Sequence, residues 1–147
     1  MNCLECNKEL DYLDHKNSMD SLGIELCNQH YSRMQKLIKQ NNTPQEAVQL
    51  YYGLKEEGVK AMLEWWDGKK SVDIAISRVK LNIEIDNENE RMTHEQAIND
   101  LEDSMHSFKN GFTTIRIPNT LIKHYLRETV NNIIGIMEGL RANIKVI

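Results

Sequence analysis

The stretch VDIAISRVKLNIEID, residues 72–86, decides the fold. Apolar and polar residues alternate in its two halves, Val72 to Ser77 and Leu81 to Asp86, as they do in half-buried β-strands. A tight turn at Arg78-Val79 would join the halves as antiparallel strands, with the facing pairs Ile74–Ile83 and Ile76–Leu81. The stretch therefore predicts two neighbouring strands that share one apolar face.

Two acidic residues fall on the opposite face of these strands. The same register places Asp73 directly opposite Glu84, with Cβ atoms about 5 Å apart, and like charges in that position destabilise a sheet. A divalent cation such as Mg²⁺ or Mn²⁺ would remove this cost, and Asp86 on the same face could add a third carboxylate. An alternative stays open, in which the acids splay into water or pair with Lys80 or Arg116.

The flanking segments predict an α/β layout. A helix lies upstream, which begins at Thr43-Pro44-Gln45-Glu46 and ends at Gly58. A strand follows from Val59 to Trp66, and an Asp67-Gly68 hairpin joins it to residues 72–86. Downstream lie a helix from His94 to Lys109, a strand from Thr113 to Ile117 and a helix from Leu121 to Leu140. The order is helix, three-strand meander, helix, strand, helix. A helix between the third and fourth strands permits a crossover within one mixed sheet covered on both faces.

The downstream helices are amphipathic. The helix from His94 carries one apolar stripe. The terminal helix carries another, which is typical of a helix that packs against the protein core. The members of the first stripe are Ala97, Leu101, Met105 and Phe108, and those of the second include Tyr125, Leu126, Ile133, Ile134 and Met137.

Length and composition bound the domain organisation. With 147 residues and 40% apolar content, the chain can bury one core and a small appendage. We expect a domain over residues 43–147 and a module over residues 1–40, of which residues 1–26 show no sustained periodicity. The net charge of −4 means that any contact with nucleic acid needs a local basic patch. A signal-peptide pattern and a membrane-length apolar run are both missing, so we expect a cytoplasmic protein without a membrane partner.

The module carries a zinc-ligand pattern. Cys3-x2-Cys6 and, after a twenty-residue spacer, Cys27-x2-His30 supply two ligand pairs, and they use every cysteine of the chain. A Cys3His set leaves no open coordination position, which is typical of a structural zinc site. Unrelated thiols are the alternative, and His15 is the other histidine that could serve as a ligand.

The region from about residue 43 to 140 resembles a known nuclease superfamily. The residues that carry the resemblance are VDIAISRVKLNIEID, QAINDL (96–101), SFKNGFTTIRIPN (107–119) and the amphipathic terminal helix. Together they resemble the PD-(D/E)xK superfamily, in particular the branch of short domains similar to very-short-patch repair endonucleases. The resemblance implies a restriction-endonuclease-like core and an active site that binds Mg²⁺ or Mn²⁺.

The resemblance also implies roles for individual residues. It makes Asp73 and Glu84 the metal-binding acids, Asp86 an auxiliary acid and Glu46 the acid on the preceding helix. Gln96 and Arg116 match polar positions that line the site. Glu46 has a second interpretation as the capping-box partner of Thr43.

The sequence departs from the family pattern at three positions. The usual lysine two residues after the second acid is absent, and Asp86 stands there. Asn87 replaces the typical glycine, and Glu90 stands where a histidine is expected, which leaves His94 as the nearest substitute. Two functions from different classes follow. One is a metal-dependent endonuclease acting on nucleic acid, with DNA as the expected substrate; the other is a catalytically inactive module that binds nucleic acid or a protein partner. For either function, the sequence leaves a homo-oligomer open.

Overall fold

The protein is a mixed α/β structure built around a four-stranded sheet. The computed structural model describes residues 1–87 and 92–146, with side chains up to residue 143. The strands are β1 (Met62–Trp66), β2 (Ser71–Ile76), β3 (Leu81–Asp86) and β4 (Thr113–Pro118), in the order β1-β2-β3-β4. The helices are α1 (Tyr12–Leu22), α2 (Asn28–Gln40), α3 (Gln45–Glu56), α4 (His94–Lys109), α5 (Asn119–His124) and α6 (Leu126–Val146).

The predicted meander and crossover are present. β1, β2 and β3 pair antiparallel, and β4 pairs parallel with β3 after the chain has passed through α4. The predicted β2–β3 register is confirmed, because Ile74 lies opposite Ile83 and Ile76 opposite Leu81. Cα pairing of β2 with β3 stops at Ile74 and Ile83, one position short of Asp73 and Glu84. The two strands therefore separate at the acidic residues.

One face of the sheet holds the main apolar core. Ile74 and Ile76 of β2 and Leu81 and Ile83 of β3 are fully buried there against α3 and α6. Each such side chain contributes roughly 1.5–3 kcal/mol through its removal from water. The buried members from the sheet are Ile74, Ile76, Leu81, Ile83 and Ile117, and those from the two helices are Ala47, Leu50, Leu54, Val130, Ile133 and Met137.

Two helices differ from the sequence-based expectation. Residues 12–22 form α1, which the sequence did not predict, because the apolar residues of this segment do not follow a clear helical stripe. The expected terminal helix is two helices, which are divided at Tyr125 by a non-helical backbone with φ −137° and ψ 46°. Tyr125 is consequently 56% exposed and does not join the packed stripe of α6.

Helix α4 faces the sheet with its polar side. Ser107 is its buried residue, and Asp100 and Asp103 form ion pairs with Arg116 of β4 and Lys69 of the β1–β2 turn. The apolar stripe of α4 lies on the outer side and is exposed. These polar contacts override the helical pattern, which on burial alone would have turned the apolar stripe toward the sheet.

The N-terminal module packs against helix α3. Buried apolar residues of the module, among them Leu10, Leu22 and Leu26, form a second cluster together with Val48 and Tyr52 of α3. The cluster also contains Cys3 and Cys27. Within the described part of the chain, no helix combines the length and apolar character needed to cross a membrane.

Candidate metal centres

Four residues of the module converge on one point. Cys3 and Cys6 lie in a tight turn in which the N–H of Asn7 donates to the carbonyl of Cys3 at 2.8 Å. Cys27 precedes α2 as its N-cap residue, and His30 lies in the first turn of that helix. The ligand atoms of Cys3, Cys6, Cys27 and His30 all lie within 4.8 Å of one another. The cluster could therefore hold one metal ion.

The distances within this cluster fit zinc. Tetrahedral zinc, with Zn–S bonds of about 2.3 Å and Zn–N bonds of about 2.0 Å, separates its ligand atoms by roughly 3.5–3.8 Å. Cys3 Sγ lies 3.7 Å from His30 Nδ1, and Cys6 Sγ lies 3.9 Å from Cys27 Sγ. Cys27 Sγ and His30 Nδ1 are closer, at 3.0 Å. His15 is engaged elsewhere, since its Nε2 lies 3.4 Å from the carboxylate of Glu25.

The cluster also favours a thiolate. Burial raises the pKa of Cys3, but hydrogen bonds from the backbone N–H groups of Cys27, Cys6 and Glu5 outweigh it and lower this pKa from 9.0 to about 6. A thiolate is the form of cysteine that binds zinc. These backbone donors therefore prepare Cys3 for a metal at neutral pH.

The predicted acids lie at one end of the sheet. β2 begins at this end, and β1, β3 and β4 terminate there. Asp73 and Glu84 point away from the main core, and Glu84 is in register with Arg116 on the neighbouring strand. Ligands of α/β proteins commonly bind at the carboxyl ends of parallel strands, which here are β3 and β4.

Asp73 occupies the gap that opens between β2 and β3. Its Oδ2 accepts a hydrogen bond from the backbone N–H of Ile85 at 2.8 Å, which satisfies a donor near the end of the strand pairing. Burial is the main cause that raises the pKa of Asp73 to about 7, and the Glu84 and Glu64 carboxylates raise it further against the Ile85 hydrogen bond. Asp73 and Glu84 are therefore neighbouring carboxyl groups that repel each other when both are charged.

Two further charged residues at this site were missed in the sequence. Lys70 Nζ lies 2.9 Å from Glu84 Oε1, so the partner of Glu84 is Lys70, whereas the alternative interpretation of the sequence named Lys80 or Arg116. Glu64 has a positive φ of 52°, and its carboxylate accepts hydrogen bonds from Thr43 at 2.7 Å and from Ser71. Period-two alternation cannot reveal a side chain placed by a turn or by left-handed backbone.

The Thr43 contact corrects the prediction for the start of α3. The expected capping box between Thr43 and Glu46 is wrong, because Pro44 is the N-cap residue without a side-chain hydrogen bond and the Thr43 hydroxyl donates to Glu64. Glu46 instead lines a cavity of about 770 Å³. Its carboxylate has no hydrogen-bond or ion-pair partner within residues 1–87 and 92–143.

The same cavity holds Asp86 and Arg116. Arg116 binds Asp86 at 3.1 Å and also binds Asp100 of α4, so it links β3, β4 and α4. Asp86 is thus neutralised by Arg116, while Asp73 and Glu84 are grouped with Lys70. The structure therefore divides the predicted acids between two neighbouring groups.

The remaining predicted polar residues lie outside both groups. Gln96 forms the capping box of α4, in which its side chain accepts from the N–H of Thr93 at 2.9 Å and its own N–H donates to Thr93 at 3.1 Å. It is exposed and does not line the cavity. His94 is the first, exposed residue of α4. Glu90 lies outside the described residues.

The raised pKa of Asp73 predicts a pH-dependent stability. Because its pKa is higher in the folded protein than its ordinary value of 3.8, Asp73 stabilises the fold at low pH and loses that contribution as the pH rises toward about 7. Relative to Asp73→Asn, the free energy of unfolding of the wild type should fall by up to about 1.4 kcal/mol per pH unit between about pH 4 and 7. Urea unfolding of the two zinc-loaded proteins measures this difference. Parallel pH profiles would contradict the assigned environment of Asp73.

No protein-family model, curated protein or solved structure gives a significant match to this chain.

Proposed function

We propose that this protein is a metal-dependent endonuclease with a restriction-endonuclease-like core, which hydrolyses phosphodiester bonds in DNA. The observation that carries the proposal is the convergence of Asp73 and Glu84 where β2 and β3 separate. Burying two carboxylates beside each other is costly, and a bound cation offsets that cost. The mixed sheet, with its meander, crossover helix and parallel fourth strand, is the layout that the PD-(D/E)xK resemblance implies.

The donor set suits magnesium or manganese. Mg²⁺ is usually held by one or two protein carboxylates together with water and substrate phosphate oxygens. Asp73 and Glu84 supply two carboxylates, whereas the only group of three or more metal-binding side chains found within the described residues is the Cys3His cluster. A bound Mg²⁺ would make a coordinated water nucleophilic at neutral pH.

The chain's own residues would position the substrate. Asp73 is held by the Ile85 N–H, so its second carboxylate oxygen can face a cation. Lys70 is the cation next to the acids, and its ammonium could transfer from Glu84 to a phosphate oxygen of DNA. Arg116 is less suited to this role, since Asp86 and Asp100 already occupy its guanidinium. We further propose that zinc occupies the Cys3His cluster and folds the N-terminal module.

A nicking assay tests the proposal. Zinc-loaded wild-type protein should convert supercoiled plasmid to open circles in the presence of Mn²⁺, and Glu84→Gln should reduce the rate by at least about a hundredfold, since it removes one of the two charged metal ligands. Glu138→Gln is the matched control, because Glu138 is an exposed acid on α6 away from this end of the sheet. Equal nicking by wild type and Glu84→Gln would overturn the assignment.

The inactive binding module is the second candidate function. The Lys70–Glu84 ion pair favours it, because a resident ammonium neutralises the acidic site without any metal. The absent family lysine and histidine point in the same direction. This alternative predicts that wild-type protein does not nick DNA and gains no stability from Mn²⁺.

A further inference from the structure

The outer face of α4 carries an exposed apolar stripe that differs from the rest of the helix surface. Four large side chains occupy it, and their exposed fractions are 58% for Ile98, 71% for Leu101, 51% for Met105 and 73% for Phe108. None of the residues that the structure describes covers them. Because α4 binds the sheet through Asp100, Asp103 and Ser107, the helix cannot turn this stripe inward without breaking those polar contacts.

The spacing of the stripe is that of a helix–helix seam. Ile98, Leu101, Met105 and Phe108 follow one another at steps of three, four and three residues, which are the a and d positions of two consecutive heptads. Glu95, Glu102 and Lys109 occupy the flanking e positions along one side of the seam. A scattered set of exposed apolar residues would not keep this order.

The stripe is complementary to itself in the antiparallel direction. If two copies of α4 pack about a twofold axis, Ile98 faces Phe108 of the other copy and Leu101 faces Met105, so that every layer is apolar. Glu95 then lies beside Lys109 of the other copy, and this pair of opposite charges occurs twice. Glu102 lies near the axis and faces its own counterpart, which is the one unfavourable contact of the arrangement.

The area is sufficient for a weak, specific dimer. A large side chain carries on the order of 200 Å² of surface, so these exposed fractions leave roughly 100–150 Å² on each of the four residues. Two stripes together expose roughly 1,000 Å², so an interface that covers them fully reaches the lower limit for a specific protein interface. An interface of this size belongs to the class of weak or transient associations.

We propose that the outer face of α4 is a homodimer interface, in which two α4 helices pack antiparallel through Ile98, Leu101, Met105 and Phe108. This interface does not depend on the catalytic proposal, because Asp73 and Glu84 lie on the sheet, which contacts the polar side of α4, and the stripe lies on the outer side of the helix. The partner is a second copy of this chain, because the apolar residues and the flanking charges of one stripe complement those of an identical stripe in one antiparallel register.

Sedimentation equilibrium of the full-length, zinc-loaded protein between about 1 and 200 µM tests the stripe. Wild type should show a monomer–dimer equilibrium, and Leu101→Glu should weaken the dimer at least about tenfold, because it places a charge in an apolar layer. Leu101 is mostly exposed, so this variant should keep its circular dichroism spectrum. Leu13→Glu is the matched control, since Leu13 is 65% exposed on α1, and it should dimerise like the wild type.

Charge exchange tests the antiparallel register. Glu95→Lys and Lys109→Glu should each weaken the dimer about threefold to tenfold, and the double variant should recover the wild-type constant, because the opposite charges meet again. Glu102→Gln should tighten the dimer. A wild type that stays monomeric up to about 200 µM, a dimer that Leu101→Glu leaves intact, or a loss caused equally by Leu13→Glu would overturn the interface. A double variant without recovery would overturn the antiparallel arrangement.

Discussion

Removing zinc should unfold residues 1–40 and leave the four-stranded sheet folded. Structural zinc contributes on the order of 10–16 kcal/mol to small metal-bound domains, so the module is expected to depend on the ion. Its apolar cluster is small and includes two of the ligands, Cys3 and Cys27, whereas the main core has its own buried residues from the sheet, α3 and α6. Hydrogen–deuterium exchange with and without a chelator should show lost protection in α1 and α2 and retained protection in β2 and β3.

A matched pair of histidine variants tests the ligand set. His30→Gln should weaken zinc binding about a hundredfold, if one of four ligands supplies roughly 3 kcal/mol of the zinc affinity. His15→Gln should bind zinc like the wild type, because His15 contacts Glu25 outside the cluster. A zinc content near zero in protein purified without chelator, or a larger loss from His15→Gln, would contradict the assignment.

Asp73→Asn should move stability and metal binding in opposite directions. Asparagine keeps an oxygen that can accept from the Ile85 N–H, but it removes the buried charge beside Glu84. At pH 8 and without Mn²⁺, we expect the free energy of unfolding to rise by about 0.5 kcal/mol or more, because the cost of burying the charge and its repulsion from Glu84 both disappear. Adding Mn²⁺ should raise the melting temperature of the wild type and leave that of Asp73→Asn unchanged.

Asp86→Asn is the control for this pair of effects. Asp86 lies two residues after Glu84 on the same strand but is bound to Arg116, which also binds Asp100. The variant should lower the melting temperature, because Arg116 loses one of its partners, and it should keep the shift caused by Mn²⁺. If Asp73→Asn also lowers the melting temperature and Mn²⁺ fails to stabilise the wild type, the inactive module is the better account.

The decisive strands could be predicted because their signal is local. Alternation within residues 72–86, together with a tight turn at Arg78-Val79, predicts a register that keeps Ile74, Ile76, Leu81 and Ile83 on the same face, and the structure has that register. The Cys3His cluster could be predicted for a similar reason, since the two pairs have the internal spacing that is characteristic of zinc ligands. In both cases the residues that form the sequence pattern are the same residues that contact one another in the structure.

The remaining features depend on contacts between distant segments. The sequence shows that α4 is amphipathic but not which side faces the sheet, and ion pairs of Asp100 and Asp103 decide this. Lys70 reaches Glu84 from a turn, and Thr43 reaches Glu64 across 21 residues of chain. The periodicity of apolar residues carries no information about such tertiary contacts. For this reason neither the position of Lys70 beside the acids nor the start of α3 was predicted correctly.

Calorimetric titration of Mn²⁺ into the zinc-loaded protein at pH 8 tests the central claim most directly, because Asp73 and Glu84 are proposed to hold a divalent cation. The wild type should bind one Mn²⁺ per chain in addition to its zinc, Asp86→Asn should bind with similar affinity, and Asp73→Asn and Glu84→Gln should show no binding. The absence of a Mn²⁺ binding isotherm in the wild type, or an isotherm that survives both Asp73→Asn and Glu84→Gln, would contradict the proposed metal site.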